Sequence, residues 1–255
     1  MEQEKYYEWY EHRYRAAFQA GADRWGHGPQ DEALIEALKS WVEKYHLKGK
    51  KIIEFACGEG ASGVILSELG CIYHGVDIAP SALEKAKLLL SAYPAATVGR
   101  IDMVRERPHG AYDAALDVMG FHMLVTDKDR QGYLRNAASC LAPGSPMLFF
   151  RECYAKEGYD GEIESIAQWS RISGMDFTTP QERTVMARGN PLTVMLPILP
   201  ARPRNEAQYR RELNDAGFLV RSFMVNGENA QVITSATLEC VKSAGAAISA
   251  PEHLA

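Results

Sequence analysis

The sequence predicts an α/β fold: a mostly parallel sheet between helices, ended by an antiparallel hairpin. Three observations predict it. From residue 49 onward, short apolar runs alternate with segments of helical periodicity. The stretch 52–63, IIEFACGEGASG, reads as a strand, a glycine turn and the start of a helix, an arrangement that holds phosphates and nucleotide-like cofactors. Near the C-terminus two long strand-like runs flank only Asn226-Gly227-Glu228-Asn229, too few residues for a parallel crossover.

The elements follow in order. Residues 1–48 read as helical, with Leu34, Ile35, Leu38 and Trp41 on one face of the run 31–41. Residues 50–55 form the first strand and 62–69 its helix. The second strand is 71–77, and Pro80-Ser81 opens a helix to Leu90, both residues suiting a first turn. Residues 97–102 and 113–119 form the third and fourth strands. A helix over 129–141 is stopped by Ala142-Pro143-Gly144-Ser145, and 147–151 is the fifth strand. Residues 154–204 then break the alternation. Within them 161–169 has helical character, and 183–187 with 192–196 read as a hairpin around Arg188-Gly189-Asn190-Pro191. A segment of this kind suits a lid or a substrate-facing insertion. The helix 205–216 ends at Gly217, and strands 218–225 and 230–240 close the fold.

The expected organisation is a single domain, 1–255. An N-terminal helical cap covers 1–48, the core spans 49–153 and 205–241, the insertion spans 154–204, and a small, polar tail covers 242–255. The net charge of −5, without a basic run, points away from nucleic acid and from lipid surfaces. No run of apolar residues is long enough to span a bilayer, and the charged, aromatic N-terminus does not read as a secretory signal. Five scattered cysteines, none paired at metal-ligand spacing, suit reduced thiols in a cytoplasmic protein without a bound metal.

The glycine turn leaves two cofactors open. Gly58-Glu59-Gly60-Ala61-Ser62-Gly63 fits the dinucleotide pattern G-x-G-x-x-G, and it also fits the looser acid-then-glycines pattern of S-adenosylmethionine sites. Glu54 favours the second. A strand buried on both faces should be uniformly apolar, and an ionised carboxylate within it needs a cationic partner. The ammonium and sulfonium of S-adenosylmethionine supply one, as would a neighbouring lysine; a nicotinamide dinucleotide does not. Asp77, at the end of the second strand, suits both ribose hydroxyls of either ligand. Asp102, read as the end of the third strand, can accept an adenine amine while Met103 covers the ring.

In this order, IIEFACGEG, GVDIAPSALEKAK, GRIDM, YDAALDVMGFHML and YLRNAASCLAPGSPMLFF, the chain resembles the class I S-adenosylmethionine-dependent methyltransferases over residues 50–153. The last helix and hairpin, 205–240, fit the same family. The resemblance implies a Rossmann-like three-layer sandwich whose seven-stranded sheet runs 3-2-1-4-5-7-6, with strand 7 antiparallel. Ala56 departs from the pattern, standing where many members have their first glycine. A shorter likeness, WYEHRYR (9–15) and RWGHG (24–28), is similar to the thiopurine and tellurite methyltransferase-like branch, in which this segment folds over the cofactor.

The family pattern implies roles residue by residue. Ala56, Gly58 and Gly60 would let the backbone approach the methionine portion, with Glu54 beneath its ammonium. Asp77 would hold the ribose, Ile78 would pack on adenine, and Asp102 and Met103 would hold the adenine edge and face. Asp117 and Val118 would lie beside the sulfonium, and Arg13 and Trp25 would come from the N-terminal segment. His122 and Asp117 are the candidate catalytic bases, although His122 equally suits a packed histidine. Trp9, Tyr10, Tyr14 and Trp25 suit an aromatic lid or simple docking of the first helix, and the 183–196 hairpin suits a substrate wall or an oligomer contact. The expected function is in-line methyl transfer from S-adenosylmethionine to a small-molecule acceptor, leaving S-adenosylhomocysteine, by a monomer or homodimer. A nicotinamide-dependent oxidoreductase and a non-catalytic S-adenosylmethionine-binding protein are the alternatives.

Overall fold

Strand β1 (Lys51–Phe55) is buried at every residue after Lys51, and its side chains alternate between two apolar layers. Ile53 and Phe55 enter one core, and Ile52 enters the other. The computed structural model describes residues 5–227 and 234–244. In it β2 (Ile72–Asp77), β3 (Ala96–Arg100), β4 (Ala114–Val118) and β5 (Pro146–Cys153) pair in parallel around β1. The hairpin β6 (Pro180–Ala187) and β7 (Asn190–Pro197) stands apart from them. Strands β8 (Phe218–Asn226) and β9 (Ser235–Lys242) complete the main sheet, whose order is β3-β2-β1-β4-β5-β9-β8. Strand β9 runs antiparallel to both of its neighbours. Counted over the core strands alone, this is the expected order with the seventh strand reversed.

Helices α1 (Trp9–Gln19), α2 (Glu32–Lys44), α3 (Ala61–Glu68), α4 (Pro80–Leu89), α5 (Asp127–Ser139), α6 (Ile166–Ser173) and α7 (Glu206–Asp215) surround these strands. Their starts follow local chemistry. Asp31 accepts the Leu34 N–H at the start of α2, and Thr126 accepts that of Asp129 in α5. Asn205 and Gln208 form a reciprocal capping box on α7, and Gly217, at φ 83°, follows its end. Among the described residues no helix is long and apolar enough to cross a membrane.

Three expectations shift. The third strand ends at Arg100, short of Asp102. Asp102 instead turns the chain, because its carboxylate accepts the N–H groups of Val104 and Arg105. The helix expected over 161–169 runs over Ile166–Ser173, because Ser165 caps it by accepting the Gln168 N–H. Ahead of it the chain is tied elsewhere, with the Ile163 N–H donated to Asp127. The last strand is described from Ser235. Residues 228 and 229 of the expected turn, 230–233 of the expected strand, and 245–255 of the tail lie outside the described residues.

The insertion is fastened to the core by buried cations. Arg202 meets Asp127 at 2.9 Å, and Arg204 meets Glu212 at 2.6 Å, while Arg130 of α5 meets Glu212 at 2.6 Å. The β6–β7 hairpin closes on Arg188 and Gly189, both at positive φ, as a tight two-residue turn requires. Its inner face, Val185, Val194 and Leu196, packs on Ala17 and Ala22 of the N-terminal cap. The hairpin therefore has a partner within its own chain.

Candidate functional site

The carboxyl ends of β1, β2 and β4 open into a cavity of about 380 Å³, roofed by residues of the N-terminal cap. Ligands of open α/β sheets bind at this edge. Its floor is the glycine turn after β1. Gly58 has φ 51°, and a Cβ there would lie 2.7 Å from the Tyr14 hydroxyl. Ala56 also has a positive φ of 51°, a region that costs a residue with a Cβ about 1–2 kcal/mol. Ala56→Gly is expected to relieve that strain. Part of the gain is offset by the greater freedom of glycine in the unfolded chain, so the net stabilisation is up to about 1 kcal/mol and the melting temperature rises by about 2–4 °C. A lower melting temperature would show that packing of the Ala56 methyl outweighs its strain.

Asp77 ties the turn together. Its Oδ2 accepts the Gly58 N–H at 2.8 Å, and its Oδ1 accepts the Ala79 N–H at 2.9 Å. Burial raises its pKa, opposed by those two donors. It lines the cavity beside Ile78, as do Met103 and Val118. Asp102 lines it too. Tyr7 donates to its Oδ2 at 3.3 Å, and the Lys5 ammonium lies 3.1 Å away. Two carboxylates thus flank apolar Ile78 and Met103, an acceptor set that suits a ribose and an adenine lying flat.

Glu54 does not line the cavity. It is buried behind the glycine turn, where it accepts the Tyr73 hydroxyl. The expected place beneath an ammonium is therefore corrected to a buttress inside the sheet. Burial pushes its pKa up to about 8, against the Tyr73 hydrogen bond, and pushes Glu152 up to about 7. The folded protein therefore retains protons that the unfolded chain has lost, and stability falls as pH rises toward those values. His27, lowered by burial to about 4, acts in the opposite sense only below its ordinary value of 6.5. The denaturation midpoint is expected to fall between about pH 6.5 and 8.5, with a smaller fall in Glu54→Gln. A flat midpoint in the unaltered protein would show Glu54 ionised in the folded state.

The candidate bases lie outside the cavity wall. Asp117 is fully buried, with its Oδ1 accepting the N–H groups of Gly120 and Phe121 and its Oδ2 accepting the Tyr133 hydroxyl at 2.6 Å. Burial and the nearby Glu152 raise its pKa well above the carboxylate range. His122 places its Nδ1 2.9 Å from Glu152 Oε2, which also accepts the His122 backbone N–H. Both expectations of a base are corrected: Asp117 shares the face of β4 on which Ala115 enters the main core, and His122 is held against Glu152. What reaches the cavity from the segment after β4 is Met119, Gly120, Met123 and Leu124.

The roof is the N-terminal segment. Tyr7, Tyr10, Tyr14 and Trp25 line the cavity, whereas Trp9 packs against the main core. Glu59 in the glycine turn accepts the N–H groups of Trp25 at 2.7 Å and Gly26 at 3.1 Å. Glu11 accepts the Ser81 N–H and hydroxyl at the start of α4. Arg13 stacks 4.0 Å above the ring of Trp25, which lines the cavity, and is not itself in the cavity wall. Glu59, Cys57 and His27 are lining residues that the sequence did not mark as site residues. Glu59 sat unread inside the glycine pattern, and nothing in the spacing of His27 distinguishes it.

Residues 53–147 match a family described as a methyltransferase domain. Over 135 residues the chain is 24% identical to a carboxy-S-adenosyl-L-methionine synthase of Aliivibrio salmonicida (strain LFI1238), which covers 51% of this chain and 56% of that protein. The chain thus spans little more than half the length of that curated relative. The fold is shared with the CcbJ methyltransferase from Streptomyces caelestis at a TM-score of 0.64 and 16% identity, over 92% of this chain and 99% of that one. It is also shared with an S-adenosylmethionine-bound amino pentose methyltransferase from Micromonospora echinaspora at a TM-score of 0.61 and 14% identity, over 90% and 96% of the two chains.

Proposed function

We propose that this chain, which belongs by its fold and its residues 53–147 to the class I S-adenosylmethionine-dependent methyltransferases, transfers a methyl group from S-adenosylmethionine to a small-molecule acceptor. The observation that carries the reading is the cavity itself: a glycine turn with no room for side chains, and acids at Asp77 and Asp102 around apolar Ile78 and Met103. Bound S-adenosylmethionine supplies an electrophilic methyl on a sulfonium. Asp77 is placed to accept the ribose hydroxyls through its remaining lone pairs, and Asp102 to accept the adenine amine. The glycine turn admits the methionine portion at Gly58, whereas Gly60, expected to share that role, does not line the cavity and gives its room to Ala86 of α4. Val118 and Met119 cover the reacting centre with apolar surface, and the roof over residues 7–27 excludes water.

His27 is the imidazole that lines the cavity, and burial holds it neutral, with a pKa lowered to about 4. So weak a base favours an acceptor that arrives already deprotonated. The family match and the reversed β9 favour this reading over nicotinamide chemistry.

Calorimetry with S-adenosylmethionine, S-adenosylhomocysteine and NADH tests the cofactor, and mass spectrometry of turnovers with labelled S-adenosylmethionine tests the reaction. A methylated acceptor supports the proposal. Formation of carboxy-S-adenosylmethionine, the product in the relative's name, would replace it, and NADH binding without S-adenosylhomocysteine binding would refute it.

A further inference from the structure

Arg13 is buried without an anionic partner among the described residues. It is 9% exposed, its Nε donates to nothing, and among the described residues no carboxylate pairs with it. Its guanidinium lies over Trp25, and its helix neighbours Tyr10 and Tyr14 line the cavity. The other buried arginines differ: Arg130, Arg202 and Arg204 are each matched to Glu212 or Asp127. A second cation, Arg183, stands on the hairpin that packs against α1. Arg183 shares the inner side of β6 with Val185, which packs on Ala17 of α1. Arg183 adds to the burial that lowers the Arg13 pKa to about 10, a value that leaves Arg13 charged at neutral pH. The hydrogen bond that Arg183 makes is to the Glu182 carbonyl, and among the described residues no carboxylate meets it either. The acids at the cavity are engaged elsewhere: Asp77 with Gly58 and Ala79, Asp102 with Tyr7 and Lys5, Glu59 with Trp25 and Gly26.

A desolvated guanidinium left unpaired is costly, and a second cation beside it increases the cost. We propose that Arg13 and Arg183 together receive an anionic oxygen group, a carboxylate or a phosphate, carried by the acceptor molecule. The inference rests on the methyltransferase reading and names the substrate class of that site. The cofactor's own carboxylate is the rival anion for Arg13, and the affinity of the variants for S-adenosylhomocysteine separates the two. Arg183 comes from the insertion, outside the matched residues 53–147, so it belongs with recognition of the particular acceptor. Two guanidiniums offer the paired donors that carboxylates and phosphates accept. An anionic acceptor also agrees with the weakly basic His27.

The test uses the full chain saturated with S-adenosylhomocysteine and three matched probes: benzoate, phenyl phosphate and benzamide. Calorimetry is expected to show one or both anions binding at least about tenfold more tightly than the amide, and which anion does so identifies the group. Arg13→Gln and Arg183→Gln should each abolish that preference, and Arg13→Lys should keep part of it. S-adenosylhomocysteine affinity should change less than about threefold in Arg183→Gln. No preference for the anions in the unaltered protein overturns the proposal. So does a tenfold loss of S-adenosylhomocysteine affinity in Arg13→Gln with the anion preference intact, which would assign Arg13 to the cofactor carboxylate. Failure of the unaltered protein to bind S-adenosylhomocysteine would refute the methyltransferase reading itself, a separate outcome. Arg183 lies on the hairpin, away from the glycine turn, so its variant remains informative should Arg13→Gln not fold.

Discussion

Asp77→Ala is expected to weaken S-adenosylhomocysteine binding by about tenfold to a hundredfold, because charge-assisted hydrogen bonds to the ribose are each worth about 1.5–3 kcal/mol. The same change should lower stability. Gly58 and Ala79 donate to the Asp77 carboxylate at 2.8 and 2.9 Å, and a buried N–H left without an acceptor costs about 1–3 kcal/mol. The two losses can be separated. Asp77→Asn keeps one carbonyl oxygen for the glycine turn and removes the charge, so it should recover part of the stability while binding stays weak. Calorimetry and thermal unfolding of both variants check this. Unchanged affinity in Asp77→Asn would remove Asp77 from the ligand site and leave it as a brace for the turn.

Amide exchange over residues 5–28 is expected to slow by about tenfold or more when S-adenosylhomocysteine binds, because the roof must open to admit a ligand and then close over it. Tyr6 and Tyr7 anchor its start in the core, and contacts from distant parts of the chain hold the rest. Glu59 takes two backbone N–H groups, Glu11 takes Ser81, and Tyr10 donates to the Pro200 carbonyl at 3.5 Å. Glu59→Ala removes the link between the glycine turn and Trp25. Each of its charge-assisted bonds is worth about 1.5–3 kcal/mol, so the open state should become at least about tenfold more populated. The variant should exchange faster at Trp25 and Gly26 in both states, with the core strands unaffected. Equal protection with and without ligand would show a fixed roof, and the aromatic residues would then serve only to dock α1.

Local chemistry carried most of the fold. The alternation of apolar runs, Asp31, Asn205 and Gly217 at helix ends, and the short loop before β9 each act within a few residues. The elements they specify therefore stand where the sequence put them. The element displaced most was α6. There Ser165 competes with Gly161 as a start, and the choice depends on Asp127, 36 residues away in the chain, taking the Ile163 N–H.

The site was legible in its outline and not in its orientations. The strand pattern and glycine turn placed Asp77, Ile78, Asp102 and Met103 around one cavity, because the ends of parallel strands converge at one edge of the sheet whatever else the chain does. Which way an acid points beyond a strand end is a different matter. Asp117 and His122 turn inward because Glu152, Tyr133 and the backbone of Gly120 and Phe121 offer them partners. The unpaired charge of Arg13 likewise exists only once α1 lies between the sheet and the β6–β7 hairpin. The sequence by itself determined the order of the elements and the edge of the sheet where the cavity opens, since both follow from short-range periodicity and turn chemistry. Only the tertiary structure decided which charges are matched, which are left facing the cavity and which are buried behind it, because that depends on contacts between residues far apart in the chain.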